Sequence, residues 1–253
     1  MTRHLLVIGG QRCGTTWLHD QLDAHPDIAM ARPARPEPKV FLSEQPAGRG
    51  LDSYRATFFA HATGESLLGE KSTSYLEDAA APARAAAVLG AADIVVQLRD
   101  PVARAVSNWR FSAAHGLEER PLAEALEENL HGPREWDPTR TSVSPYAYLE
   151  RGHYLDHLEP WYASFPDRVH VRFLEGGCLE GGVPHRTSLA SLYAALGVDP
   201  TFRPVGLNLR VNTSSGSAPQ LEPALVRRLR EHYLDSDTRL ARHLREPLPW
   251  PVA

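Results

Sequence analysis

An apolar run, Leu5-Leu6-Val7-Ile8, passes directly into Gly9-Gly10-Gln11-Arg12-Cys13-Gly14-Thr15-Thr16. A strand that enters a turn bounded by glycines and leaves it as a helix, opened by Thr15-Thr16-Trp17-Leu18, is compatible with few folds. Small residues let backbone N–H groups approach an anion at the positive end of the helix, so the segment reads as a phosphate-binding loop. The nucleoside triphosphatase form is G-x-x-x-x-G-K-[ST]. Here Thr15 fills the lysine slot and the cation sits within the turn as Arg12. The turn therefore suits a nucleotide whose transferable group is not a γ-phosphoryl.

With 253 residues the chain can bury one sizeable core, and a single domain over residues 1–253 is expected. A net charge of −4 argues against a nucleic-acid partner, which calls for a basic face. The two cysteines, Cys13 and Cys178, make neither a disulfide framework nor a zinc quartet and point to a reducing compartment. The first apolar run is too short for a signal sequence or a membrane span, which predicts a soluble cytoplasmic protein without a membrane partner. The sequence sets no oligomeric state. Of the 27 Lys and Arg residues, only Lys39 and Lys71 are lysine. A compact ammonium differs from a planar guanidinium, and both lysines fall beside other motif residues, which marks them as functional candidates.

Along the chain, the pattern predicts helix over 15–22, broken at His25-Pro26-Asp27, then a proline- and glycine-rich loop over 31–50 and a helix over 52–60. Strands are expected at 67–71, 94–98 and 169–173, and helices at 79–89, from Pro101 onward, at 122–130, 154–165 and 188–196. Gly197 reads as the stop of the last of these. The helix after Asp100-Pro101 carries an apolar stripe of Val102, Val106, Trp109 and Ala113. A terminal helix over 221–233 and a short one from Thr238 complete the chain. Alternating strands and helices imply an α/β fold of phosphate-loop type, a central mostly parallel sheet with helices on both faces.

In such a sheet the carboxyl ends of the strands bind ligands. Three strands end in charged or hydroxyl residues: at Arg12, at Glu70-Lys71-Ser72, and at Arg99-Asp100-Pro101 with Ser107 farther along. If these strands are neighbours, Arg12, Lys71 and Arg99 converge on one rim, a receptor for more than one phosphate-like group.

The combination of Gln11-Arg12-Cys13-Gly14-Thr15-Thr16-Trp17-Leu18, His25-Pro26-Asp27, Glu37-Pro38-Lys39-Val40-Phe41, Glu70-Lys71-Ser72 and Arg99-Asp100-Pro101 with Ser107 resembles the sulfotransferases. The heparan-sulfate-type and bacterial carbohydrate or natural-product branches are the nearer look-alikes. The resemblance implies 3′-phosphoadenosine 5′-phosphosulfate (PAPS) as donor, 3′,5′-adenosine bisphosphate as product, and no metal. It implies that Arg12, Cys13, Gly14, Thr15 and Thr16 hold the 5′-phosphosulfate and that Arg99 and Ser107 hold the 3′-phosphate. Glu37 would be the general base, with Lys39 and Lys71 lining the transfer site, and Asn212 and Ser214 would offer further cofactor contacts. The sequence departs from the family at Arg12, where lysine is usual, and at Pro36, which often is lysine.

The chemistry itself asks for the same parts. Sulfuryl transfer needs in-line placement, fixed cations for the charge on the transferring and leaving oxygens, and a carboxylate to take one proton. The expected partner is a small-molecule or carbohydrate acceptor with a hydroxyl. Two further readings stay open at this point: a phosphate-loop kinase or nucleoside triphosphatase with Asp100 as magnesium partner, and a nucleotide-binding protein without catalysis. Among secondary features, His153 and His157 have the spacing of metal ligands but read better as a surface or core pair. The cluster Arg227-Arg228-Leu229-Arg230 reads as the solvated side of an amphipathic helix.

Overall fold

A computed structural model describes residues 2–136, 145–175, 188–204 and 220–252. They group into two compact units, one formed by residues 1–98 and 157–211, the other by 99–156 and 212–253.

The first unit is built on five strands, β1 (Arg3–Gly9), β2 (Ile28–Met30), β3 (Leu67–Lys71), β4 (Ala92–Leu98) and β5 (Val169–Phe173). They lie in the order β2-β3-β1-β4-β5, and every pairing is parallel. Leu6 sits opposite Glu70 on one side and Ile94 on the other, so the carboxyl ends of the three central strands lie on the same side of the sheet. From β1 the chain moves toward β2, whereas from β4 it moves toward β5. Strands that depart in opposite directions open a crevice at their carboxyl ends. The sequence pattern missed β2, whose three residues are too few to show a period.

Parallel strands read as continuous apolar runs because both faces are covered. On one face α1 (Thr15–Asp23) and the late helix Leu189–Ala195 pack Trp17, Leu18, Leu22, Leu192 and Leu196 against Leu5, Val7, Leu67 and Val95. The residues between these point to the other face, where Phe41, Tyr54, Phe59 and Tyr75 are buried, with Tyr54 5.6 Å from the Phe41 ring and Tyr75 5.5 Å from it. Tyr54 comes from the helix Gly50–Phe58, close to the expected 52–60. The 31–50 segment is a loop over much of its length, and it also carries a 3-10 turn at Val40–Leu42 and a short helix at Glu44–Ala47. A helix over Ala81–Leu89 precedes β4.

The second unit contains helices at Pro101–Ala114, Leu122–Asn129 and Pro223–Leu244. Its core joins Val102, Ala105, Leu126, Tyr148, Leu149, Leu225, Leu229 and Tyr233. Two expectations are corrected here. The buried stripe of the Pro101–Ala114 helix is Val102, Arg104, Ala105, Asn108 and Ser112, while Val106 and Trp109 are only partly buried. Buried Arg104 donates to Asn108 Oδ1 at 3.3 Å and to the Tyr148 carbonyl, so polar groups occupy positions that a search for apolar periodicity passes over. The two terminal helices are one continuous helix, because Leu229, Tyr233, Ser236, Asp237, Leu240 and Leu244 keep one face buried across the polar Asp235–Thr238 stretch. The helix Tyr154–Ser164 is shared by the two units. Among the described residues no helix is long and apolar enough to cross a membrane.

Candidate active site

The glycine turn leaves β1 between two fixed neighbours. Gly9 has φ +155°, and a Cβ there would stand 2.9 Å from Leu76 Cβ and 3.3 Å from the Thr73 carbonyl. Gly10 N–H donates to the Gln97 carbonyl at 2.7 Å, and Gln97 Nε2 donates to the Cys13 carbonyl at 2.6 Å. Gly14 caps α1 in the left-handed region at φ +80°, where a Cβ would stand 2.9 Å from Leu174. The cap supplies no side-chain acceptor, and the first turn of α1 holds no acidic residue. The first turn of α1 thus brings no carboxylate of its own to the positive end of the helix, which suits an anion site.

Within the turn, burial alternates: Gln11, Cys13 and Thr15 face inward, and Arg12, Gly14 and Thr16 are partly exposed. Arg12 takes a left-handed φ of +67°. Cys13 is fully buried, and its N–H is taken up by the Gly10 carbonyl at 3.2 Å, so it shapes the turn as a small residue.

A second group of charges gathers where β3 ends. Glu37, from the proline-rich loop, pairs with Lys71 Nζ and accepts from Thr73 N–H at 3.0 Å and from Thr73 Oγ1 at 3.2 Å. Its side chain keeps 17% of its surface exposed, against 8% for Lys71, so the carboxylate is anchored yet reachable. Lys39 sits two residues on in the left-handed region, and its N–H donates to Ser72 Oγ at 2.9 Å. Beneath this layer Glu70 is fully buried and accepts from Tyr54, Ser72 and Tyr75 hydroxyls at 2.8, 2.6 and 2.6 Å. Burial pushes the Glu70 carboxyl up from its ordinary range, and the three hydroxyl donors oppose that shift. Burial, then the charge of Glu70, holds both tyrosines far above the usual phenol range.

The turn after β1 and the charges after β3 issue from the same edge, because Val7 pairs with Lys71 in register. The structure thus brings Glu37, Lys71, Thr73 and the Lys39 backbone together beside the turn that carries Arg12. Arg99 and Ser107 belong to the second unit. Arg99 directly follows β4, and its carbonyl accepts from Tyr154 Oη at 2.7 Å; Ser107 is partly buried on the following helix. Asn212, Ser214 and Cys178 lie outside the described residues.

Asp100 caps its helix, accepting from Val102 N–H at 2.9 Å, and both of its oxygens receive Arg230. That corrects the reading of the arginine cluster: Arg230 is anchored in an ion pair with 14% of its side chain exposed, whereas Arg228 does lie at the surface, paired with Glu127. His153 Nε2 lies 3.1 Å from Nε2 of His232, on the helix Pro223–Leu244. The sequence reading missed Thr73, Gln97 and the supporting role of Glu70. The available signal was a carboxylate at an inward position of the strand Leu67-Leu68-Gly69-Glu70-Lys71, where only a satisfied charge is tolerated.

The family model for the sulfotransferase domain matches residues 2–177. Among curated proteins, heparan sulfate glucosamine 3-O-sulfotransferase 3B1 of Mus musculus is 32% identical over 161 residues, covering 64% of this chain and 38% of that protein. The bifunctional heparan sulfate N-deacetylase/N-sulfotransferase 3 of Homo sapiens is 34% identical over 167 residues, 64% of this chain and 19% of that protein. The chain therefore spans well under half the length of these relatives. Of solved structures, a sulfotransferase from Alicyclobacillus acidocaldarius superposes with a TM-score of 0.73 at 23% identity, covering 98% of both chains, which shows a common fold. With the matched region reaching from the first strand past β5 and taking in the glycine turn, Glu37 and Lys71, the chain belongs to the sulfotransferase family.

Proposed function

We propose that this chain moves the sulfuryl group of PAPS to a hydroxyl of a glycan or natural-product acceptor, with Glu37 as general base. The observation that carries this reading is the seat of Glu37, a reachable carboxylate fixed by Lys71 and Thr73 beside the glycine turn of a sulfotransferase-family chain. The family implies PAPS as donor, and the turn fits its phosphosulfate: it offers Arg12 and an α1 start free of acidic side chains.

PAPS supplies a sulfuryl group already activated on a phosphate. In the transfer, the acceptor oxygen bonds to sulfur as the bond from sulfur to the bridging phosphate oxygen breaks. The acceptor's proton goes to Glu37, and 3′,5′-adenosine bisphosphate leaves. Glu37 orients the acceptor hydroxyl and holds that proton, an effect worth roughly 10²–10⁴-fold. Arg12, Lys39 and Lys71 supply fixed positive charge for the transferring and leaving oxygens. Arg99 and Ser107 recognise the 3′-phosphate. The named relatives act on heparan sulfate, which makes amino sugars the first acceptors to try.

Thermal melts with 3′,5′-adenosine bisphosphate in magnesium-free buffer should raise Tm, while Mg-ATP should not. Labelled PAPS incubated with glycans and small hydroxylated compounds then identifies the acceptor class. Stabilisation by Mg-ATP alone would sink the proposal.

A further inference from the structure

Among the described residues Glu70 has no cation as a partner; three hydroxyls carry it. Two of these hydroxyls do a second job. Ser72 Oγ accepts the Lys39 N–H at 2.9 Å, and Tyr75 Oη accepts the Phe41 N–H at 3.1 Å. A hydroxyl has one hydrogen, and both of these must send it to Glu70 Oε1, each at 2.6 Å. A buried carboxylate that only accepts therefore fixes the direction of both chains of hydrogen bonds and leaves the hydroxyl lone pairs facing the loop. The two amides it captures this way are two and four residues beyond Glu37. Lys39, the first of the two, is held in a left-handed conformation that a non-glycine residue adopts only under constraint.

Glu70 itself is fully buried and has no access to an acceptor molecule. We propose that Glu70 is a positioning residue: through Ser72 and Tyr75 it fastens residues 37–41 to the end of β3 and so seats Glu37 against Lys71 and Thr73. This rests on the reading of Glu37 as base. The side chain at position 70 acts on the reaction only through the backbone of the loop above it.

The test combines site-resolved hydrogen exchange with kinetics on the full chain. In Ser72→Ala the Lys39 amide should exchange about five- to ten-fold faster, and in Tyr75→Phe the Phe41 amide should do so, each arm failing separately. Glu70→Leu should release both amides while the Val95 amide, in the middle of the sheet, keeps its wild-type rate. Its kcat should fall by about 10²-fold, while 3′,5′-adenosine bisphosphate should still bind within about two-fold, since the glycine turn and Arg99 are untouched. Glu70→Gln should restore most of the protection and turnover, because one amide oxygen can still accept from Ser72 and Tyr75. Unchanged exchange at Lys39 and Phe41 in Glu70→Leu would overturn the proposal, as would wild-type turnover in that variant. If Glu70→Leu fails to fold, the single-arm variants decide the matter by the same readout. Full activity in Glu37→Gln would instead remove the base assignment, and the exchange rates would still decide whether Glu70 fastens the loop.

Discussion

Gln97 holds the glycine turn at two points, accepting the Gly10 N–H on its carbonyl at 2.7 Å and donating from Nε2 to the Cys13 carbonyl at 2.6 Å. It is fully buried at the end of β4, so the turn after β1 is tied sideways to its neighbour strand. Gln97→Leu leaves the Cys13 carbonyl buried without its donor and should cost about 1–3 kcal/mol of stability. Loosening the turn should also weaken 3′,5′-adenosine bisphosphate binding by about ten-fold, read by calorimetric titration. A variant with wild-type affinity would show that the turn keeps its shape without this tie.

Glu37→Gln keeps size and hydrogen bonding to Thr73 but removes the proton acceptor. Turnover should drop roughly 10²–10⁴-fold. Binding of 3′,5′-adenosine bisphosphate should stay within about two-fold, because in the proposed reading the carboxylate serves the acceptor side. Single-turnover measurements with bound PAPS separate the two effects.

If Arg99 and Ser107 recognise the 3′-phosphate, the wild-type protein binds 3′,5′-adenosine bisphosphate more tightly than 5′-AMP. In Arg99→Ala that preference should shrink by about ten-fold or more, while 5′-AMP affinity is nearly unchanged, since one charge-assisted contact to an anion is lost. Equal losses for both nucleotides would place Arg99 elsewhere.

Asp237 is buried in the second unit, where it accepts from Trp250 Nε1 at 3.0 Å, and burial pushes its carboxyl up from 3.8 to about 6. The folded state therefore binds a proton more tightly than the unfolded chain. Its contribution to stability is fully present below the ordinary aspartate value and is lost as pH rises through about 6, a change of roughly 2–3 kcal/mol. Asp237→Asn can still accept from Trp250 but does not titrate. Urea unfolding from pH 5 to 7 should show the wild type losing stability relative to the variant as pH rises. A constant difference would mean that Asp237 does not carry the shift.

Features that depend on local chemistry could be read from the sequence. The strand–turn–helix at the start, the Asp100 cap with Pro101 behind it, and the buried runs of β3 and β4 each announce themselves within a few residues. Lys71 stands out by its charge type and position, and Glu37 through the resemblance to the sulfotransferases. Their ion pair joins residues far apart in sequence and depends on how the loop folds back over β3. The misreadings have a common origin in apolar periodicity, which ignores satisfied polar groups. Arg104 is buried bonded to Asn108 and to the Tyr148 carbonyl, and Ser236 and Asp237 are buried in the middle of what looked like a helix break.

The way the 31–50 segment is attached separates two duties that a single loop usually mixes. Its sheet-proximal start is bonded at Ala31 and Arg32, and its centre at Glu37, Lys39 and Phe41. Between and beyond these fastenings, Pro33, Arg35, Pro36 and Ser43 to Pro46 project into solvent. On the proposed reading of Glu37 as base, mutation could rewrite that outer fringe, and with it the repertoire of molecules the protein greets, while the carboxylate stays put; diversification and catalytic upkeep would proceed on separate residues.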